Sequence, residues 1–581
     1  MILPRLRHRS VLTCDFKALG TDYRLTGAYS LLILFASTVN SVFEWVRRTV
    51  QRPVREYNRF VTSAMTIARA AMVVVAFVTA GCTKAAPLVP PGYLQVDLPT
   101  APSAIDPRVA ADAVSSRVAE LLYDSLVRID ANGNFAGDLA ERFEWTSPTA
   151  IVFHLRRDGY FSDGRPLTAR DVKYTYDSIL DPASLSIKRA ILAEMASLTV
   201  VDDYTLVMHT RRPYAPALTM ATVGIVPAGS PAPGKNAAIA PAGTGPLRLA
   251  TFIRDEAVIL ERNPYRSHNV GTLSGLALKV VPDPTVRALE LTEGICGFAE
   301  NDAIQAELIP YLAAQPRLRI VRSASSTYHY LIFNFRDARL RDLRIRRAIS
   351  YAIDRSAIVT AMVRGNARLA TGLLTPENWA YNGSVMQYPY EPAKARELLE
   401  EAGYSPSAHP LRLIYNTTSE GRRLAEALQS MLGRMGIAID IHTNEWATFY
   451  SDLRNGNFDF ASSQWVGVGD PHQYYEIFDS HMTPIHGGSN RGSYSNARMD
   501  QLVEAGDSTL DPVARRAIYA EVQELAAQDL PYVSLWWDDN VAAMDHRLTG
   551  FEPYPNGSLI SLATASFSPS NREPAAARAN R

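Results

Sequence analysis

Between residues 411 and 442 the apolar pattern changes period twice, and nothing else in the chain narrows the fold as much. LRLIY (411–415) reads as a strand. In RRLAEALQSMLGRMG the residues Leu424, Ala427, Leu428, Met431, Leu432 and Met435 share one helical face before Gly436, and IAIDIH (437–442) reads as a strand again. Strand, helix and strand in that order make a βαβ unit, whose strands run parallel because the helix carries the chain back across the sheet. WATFYSDLRNG then predicts another helix and FDFASSQW (458–465) another strand. The expected class is α/β with an open sheet.

In open α/β sheets ligands gather beyond the carboxyl ends of the strands. At that end stands WVGVGDPHQYY (465–475), with an indole at Trp465, glycines at Gly467 and Gly469 on either side of Val468, and a carboxylate at Asp470. The alternative is a core tryptophan followed by a plain Gly469-Asp470-Pro471 turn. Both readings stand at this level.

A second punctuated stretch lies upstream. AIVFHLRR alternates Ile151, Phe153 and Leu155 with Val152, His154 and Arg156, the period of a strand. FSDGRPLTARDVKYTYDSI (161–179) follows, with a turn at Asp163-Gly164, Thr168 three residues before Asp171 in capping-box spacing, and Val172, Tyr176 and Ile179 on one helical face.

With 581 residues, 47% hydrophobic and 20% charged, the chain buries large cores and divides into two or three domains. Lys and Arg number 59, as do Asp and Glu, so neither a nucleic-acid partner nor an anionic surface is implied. The first 81 residues differ from the rest: without them the chain holds 48 basic and 55 acidic residues. Within them MTIARAAMVVVAFVTAGC (65–82) has one positive residue, Arg69, then an apolar run too short to span a bilayer permanently, then Thr79-Ala80-Gly81-Cys82. This is a signal peptide. Its end resembles the lipobox of bacterial lipoproteins, in which Cys82 is diacylated and becomes the mature N-terminus; an ordinary cleaved signal beside a chance cysteine is the alternative. Met65 is the preferred start, and AYSLLILFASTVNSVFEWV (28–46) is either a weak membrane helix or sequence before the true start.

Residues 82–91 read as a Pro-rich tether and 568–581 as a disordered tail. The other cysteines are Cys14, in the leader, and Cys296, so after processing Cys296 has no disulfide partner.

The segments LLYDSLVRID, LAERFEWTSPTAIVFHLRRDGYFSDGRPLTARDVKYTYDSI, PAGTGPLRL, LERNPYR, TYHYLIFNF, DLRIRRAISYAIDRSAIV and YAEVQELAAQDLPYVSLWW occur in the order and spacing of the family 5 extracellular solute-binding proteins. The chain resembles that family over nearly all of its mature length. The resemblance implies a two-lobed periplasmic-binding-protein fold with hinge crossovers and an extra subdomain in the N-terminal lobe. The first lobe would be 92–325 plus 532–567 and the second 326–531, with crossovers near TYHYLIFN and LPYVSLWW. It also implies a monomeric, exported protein, periplasmic or on the cell-envelope side and anchored through Cys82. Such a protein captures a peptide or peptide-like solute and presents it to ABC permease subunits with their ATPase. A nickel complex or a glycoside as the solute, or a sensor or chaperone on the same fold, are the alternatives. Closure of the lobes would be the signal, and no bond need break.

In peptide-binding relatives a carboxylate three residues after the tryptophan anchors the ligand amine. Here Val468 holds that place, and either Asp470 has taken the role or the anchor is absent. The position occupied by Arg in some oligopeptide binders falls near Ser462 or Ser463. Tyr328 and Tyr330 share a strand face as aromatic walls or as core. Trp536 and Trp537 point to opposite faces, so that Trp536 is a cleft candidate. His472, His481 and His486 suit a nickel or zinc site by residue type only; their spacing matches no compact motif, so no metal and no other cofactor is expected. AGTGP (242–246) lacks the Lys and Ser/Thr of a phosphate loop. No Gly-x-Ser-x-Gly, His-Glu-x-x-His or cysteine pair supports an enzyme.

Overall fold

The computed structural model describes residues 88–568, apart from 111, 185, 234–240, 267–270, 406–409 and 417–418. The leader, Met65, Cys82 and the tail after 568 lie outside the described residues.

The chain lays down β1 (Tyr93–Leu98) and then β2 (Ala140–Ser147), β3 (Ala150–Leu155), β4 (Met195–Asp202) and β5 (Thr205–Thr210). It returns through β6 (Leu247–Ile253), β7 (Ala257–Arg262), β8 (Gly275–Val280) and β9 (Phe298–Glu300). The long strand β10 (Leu318–Phe333) leads to β11 (Leu411–Asn416), β12 (Ile439–Asn444) and β13 (Phe460–Trp465), and β14 (Tyr532–Asp545) brings the chain back. One mixed sheet has the spatial order β12–β11–β13–β10–β14–β9–β1–β8–β7–β6, and β2, β3, β5 and β4 form a separate antiparallel sheet. The class is α/β, and the second sheet is the extra subdomain of the first lobe.

The βαβ unit forms as its periodicity requires. β11 and β12 pair in parallel from Leu411↔Ile439 to Asn416↔Asn444. The helix between them spans Ser419–Gly433 and buries Leu424, Ala425, Leu428 and Leu432, while Met431 and Met435 pack at the edge.

Two helices show how local chemistry places the chain. Helix α1 (Ala113–Leu122) ends against the AGTGP turn: a Cβ on Gly243 would meet the Leu122 carbonyl oxygen at 2.0 Å, and one on Gly245 the Leu122 carbonyl carbon at 2.4 Å. Those glycines serve packing. Helix α2 (Ala169–Leu180) opens on Thr168, whose backbone N–H and hydroxyl both donate to Asp171 Oδ2, at 2.8 and 2.9 Å. Asp171 Oδ1 accepts from the Ala228 N–H at 2.8 Å, so one carboxylate both caps the helix and pins a neighbouring loop. Val172, Tyr176 and Ile179 are fully buried in the subdomain core with Ile151 and Phe153.

β10 and β14 cross between the lobes as an antiparallel pair. Leu318–Ala324 face Asp539–Asp545, the register shifts, and Tyr328–Ile332 face Tyr532–Trp537. Beyond the shift the sheet is covered on both sides: Leu331, Phe333, Val533, Leu535 and Trp536 enter one core, and Tyr328, Tyr330, Ile332, Tyr532 and Trp537 the other. Tyr532, Val533, Leu535, Trp536 and Trp537 thus pack in the same cores as β10 residues 328–333, whereas Ala542, Ala543 and Met544 pack in cores with β1 and β9. The alternation of Trp536 and Trp537 holds, but they are 1% and 2% exposed, because helices cover both faces. Cys296 is a buried free thiol.

Candidate functional site

Trp465 ends β13 opposite Tyr328 of β10. The chain then leaves the sheet through exposed Val466 and through Gly467, whose φ of +73° needs a residue without Cβ. The Val468 N–H donates to the Ser326 carbonyl at 3.3 Å, and Asn378 Nδ2 donates to the Gly469 carbonyl at 2.7 Å. A Cβ on Gly467 would lie 3.7 Å from Asn556, and one on Gly469 would lie 3.8 Å from Ile129, both residues of the first lobe. The loop 466–470 therefore lies at the junction of the lobes, where small residues permit close approach.

Asp470 accepts from the His472 N–H at 2.8 Å, at the start of α3 (Gln473–Phe478). Its carboxylate is gripped by Arg515 of α5 (Pro512–Asp529), Nη2 to Oδ1 at 2.6 Å and Nη1 to Oδ2 at 2.9 Å. Both side chains are more than nine-tenths buried. His472 Nδ1 donates to Asp507 Oδ2 at 2.8 Å, in α4 (Ala497–Ser508), and Tyr519 Oη donates to Asp507 Oδ1 at 3.1 Å. Burial opposes charge on the imidazole, but the hydrogen bond to Asp507 and the Glu476 carboxylate outweigh it and raise the His472 pKa to about 10. Burial pushes the Asp507 carboxyl up against the pull of the same imidazolium. The pair is best described as charged, because the imidazole side is held protonated so firmly.

Two contacts reach this network from the first lobe. Tyr214 Oη lies 3.2 Å from His472 Nε2, and the Ala215 N–H donates to the Asp507 carbonyl at 2.6 Å.

Of the residues singled out by sequence, Trp465, Gly467, Val468, Gly469 and Asp470 come together at the lobe junction. Tyr328 and Tyr330 lie beneath them in the core, 2% and 0% exposed, with Tyr330 stacked on Tyr532 at 4.4 Å and Tyr328 Oη 2.7 Å from Ser534 Oγ. A cavity of about 50 Å³ beside Tyr328, Tyr532 and Ser534 has room for ordered water but not for a solute. Trp536 lies on the opposite sheet face, stacked on His329 at 4.6 Å with its N–H donated to Asp538. As a cleft residue it is replaced by core packing. Nor do the three histidines of the sequence reading gather: His472 is held by Asp507, His486 Nδ1 lies 2.9 Å from Thr483 Oγ1, and His481 is paired with Asp479. Among the described residues the one group of metal-type donors close together is Asp479, His481 and Glu504, the last two exposed. Arg515, Asp507, Tyr214 and Asn378 escaped sequence reading, because they sit on ordinary helices and turns and carry no motif.

The profile of bacterial extracellular solute-binding proteins, family 5, matches residues 134–483. The probable D,D-dipeptide-binding periplasmic protein DdpA of Escherichia coli K12 is 26% identical over 494 residues, which is 80% of this chain and 92% of DdpA. The glutathione-binding protein GsiB of Salmonella choleraesuis is 27% identical over 78% of this chain and 90% of its own. Among solved structures, the oligopeptide-binding protein AppA of Bacillus subtilis with a nonapeptide superposes with TM-score 0.72 at 23% identity, covering 82% of this chain and 99% of AppA. NikA of Brucella suis with Fe(III)-EDTA superposes at 0.74 and 22%, covering 82% and 100%. The solved structures share this fold, and the profile match over more than half the chain decides the family: this protein belongs to the family 5 bacterial extracellular solute-binding proteins.

Proposed function

We propose that this protein captures a peptide-like solute between its lobes and delivers it to the permease of an ABC importer. The observation that carries the reading is the loop 466–470, which meets Ser326 of the crossover and Ile129 and Asn556 of the first lobe at once. A solute lodged beside it touches both lobes and favours the closed form, and a permease can recognise closure. Binding suffices for that task, and no hydrolytic constellation is called for.

Asp470 supports one refinement. Its buried carboxylate is already paired with Arg515, so a solute ammonium gains no vacant partner there, and detaching Arg515 would strand a buried cation. The favoured solute lacks a free amine at this point or has it blocked, as a modified peptide does.

The protein acts as an exported monomer held to a membrane through lipid on Cys82. The small-residue run ending at Gly81-Cys82 supports the anchor. Mass spectrometry of small molecules released on denaturing the purified protein tests the solute: a peptide-like compound is expected, and a metal chelate or a sugar overturns the reading. Cys82→Ser tests the anchor by moving the protein from the membrane to the soluble fraction. Unchanged membrane association refutes it.

A further inference from the structure

Five arginines in the described chain are buried, and four are satisfied in plain view. Arg108 and Arg515 pair with Asp106 and Asp470. Arg287 donates to the carbonyls of Val281, Pro282 and Ala303, and Arg346 to those of Leu340, Arg341, Asp529 and Leu530. Arg491 is the exception. It is 8% exposed, and among the described residues no carboxylate lies within ion-pair distance of it. Its guanidinium lies over the Trp465 ring at 4.8 Å and the Tyr450 ring at 5.4 Å, with the hydroxyls of Tyr330 and Tyr450 beside it.

One group beside it is under-satisfied as well: Trp465 Nε1 is buried without a hydrogen-bond partner, while the Tyr330 hydroxyl has Ser463, Tyr532 and Arg491 itself close by. Trp465 and Tyr330 stack at 6.3 Å, Tyr330 and Tyr532 at 4.4 Å, so these atoms belong to one aromatic column flanked by Arg491. A buried cation with no carboxylate beside it costs stability, and an acid group on a ligand offsets that cost.

The backbone holds Arg491 firmly. Asn490 donates through Nδ2 to the Asp479 and Tyr494 carbonyls at 3.0 and 2.7 Å, and its Oδ1 accepts from the Tyr494 N–H at 3.0 Å. On the other side Gly492 lies against the end of β10, where a Cβ would meet the Phe333 carbonyl oxygen at 2.4 Å. The guanidinium is preorganised, and the ring it covers is the residue that opens the loop at the lobe junction.

We infer that Arg491, stacked on Trp465, anchors a carboxylate of the captured solute. The inference rests on the peptide-like reading above and sharpens it: the solute carries an acid group that the guanidinium fork receives beside the Trp465 ring. The carboxylate is either a chain terminus or an acidic side chain, and the two share this chemistry.

The test uses the mature protein, stripped of bound small molecules by unfolding and refolding, and titrated calorimetrically with three random tripeptide libraries. One has free C-termini and no Asp or Glu, the second has amidated C-termini and no Asp or Glu, and the third has amidated C-termini with Glu included. At least one acid-bearing library is expected to bind about tenfold or more tighter than the neutral one, as a charge-assisted hydrogen bond implies, and which one does so identifies the source. Arg491→Gln should bring that ratio to about one. Equal binding of all three libraries by the unmodified protein overturns the inference while leaving the peptide-like reading intact, and this comparison decides even if the variant does not fold. An unchanged ratio in a folded Arg491→Gln variant also overturns it. Failure of every library to bind overturns the peptide-like reading, and the inference falls with it.

Discussion

Arg515 holds both carboxylate oxygens of Asp470, at 2.6 and 2.9 Å, and both side chains are shielded from water. The pair lies where a ligand amine would be sought from sequence alone, and it engages that acid within the protein. Asp470→Asn should therefore act first on stability, lowering it by about 3–5 kcal/mol in denaturant unfolding because the Arg515 charge is left buried and unpaired. The double replacement Asp470→Leu/Arg515→Met should recover most of the loss. Free and N-acetylated forms of one bound peptide should have equal affinity by calorimetry, and a strong preference for the free amine would return Asp470 to the role of anchor.

His472 provides a pH signature. Its folded pKa of about 10 lies above the ordinary value near 6.5, so its contribution is complete below about pH 6.5 and is lost as the pH climbs toward about 10. The groups facing it are Asp507 and Tyr519 from helices of the second lobe, Glu476 one turn on, and Tyr214 from the first lobe. The urea midpoint should fall between about pH 6.5 and pH 10 in the parent protein, and His472→Gln should flatten that part of the profile. An identical slope in the two proteins would show that other groups set it.

Tyr214 offers a separate handle on closure, since its hydroxyl reaches His472 from the other lobe. Tyr214→Phe keeps the ring, 5.6 Å from the imidazole, and removes the hydrogen bond. Solute affinity should fall roughly fivefold, the equivalent of about 1 kcal/mol, with a smaller change in radius of gyration on binding by small-angle scattering.

Gly243 tests the packing account of the AGTGP turn. Gly243→Ala drives a methyl group against the Leu122 carbonyl at the end of α1 and should cost about 1–3 kcal/mol or more of stability, with nucleotide binding absent in both proteins.

Local chemistry was legible from the amino acids because its causes lie within a turn or a strand. The period changes from Leu411 to His442 set the parallel βαβ unit, Thr168 and Asp171 set a helix start, and the alternation of Trp536 and Trp537 set their opposite faces. The ordered segments placed the chain in its family. What the side chains at the junction do was decided by partners brought in from elsewhere. Asp470 meets an arginine 45 positions away, and His472 meets a tyrosine 258 positions away. Trp465 is covered by Arg491, which follows a second turn-rich stretch with no periodic signal of its own. Whether Trp536 faces solvent or core likewise depends on helices packed over each side of the sheet, which strand alternation cannot report. A carboxylate or an indole reads the same in sequence whether it is free or engaged; its availability depends on burial and on the charges that folding sets beside it.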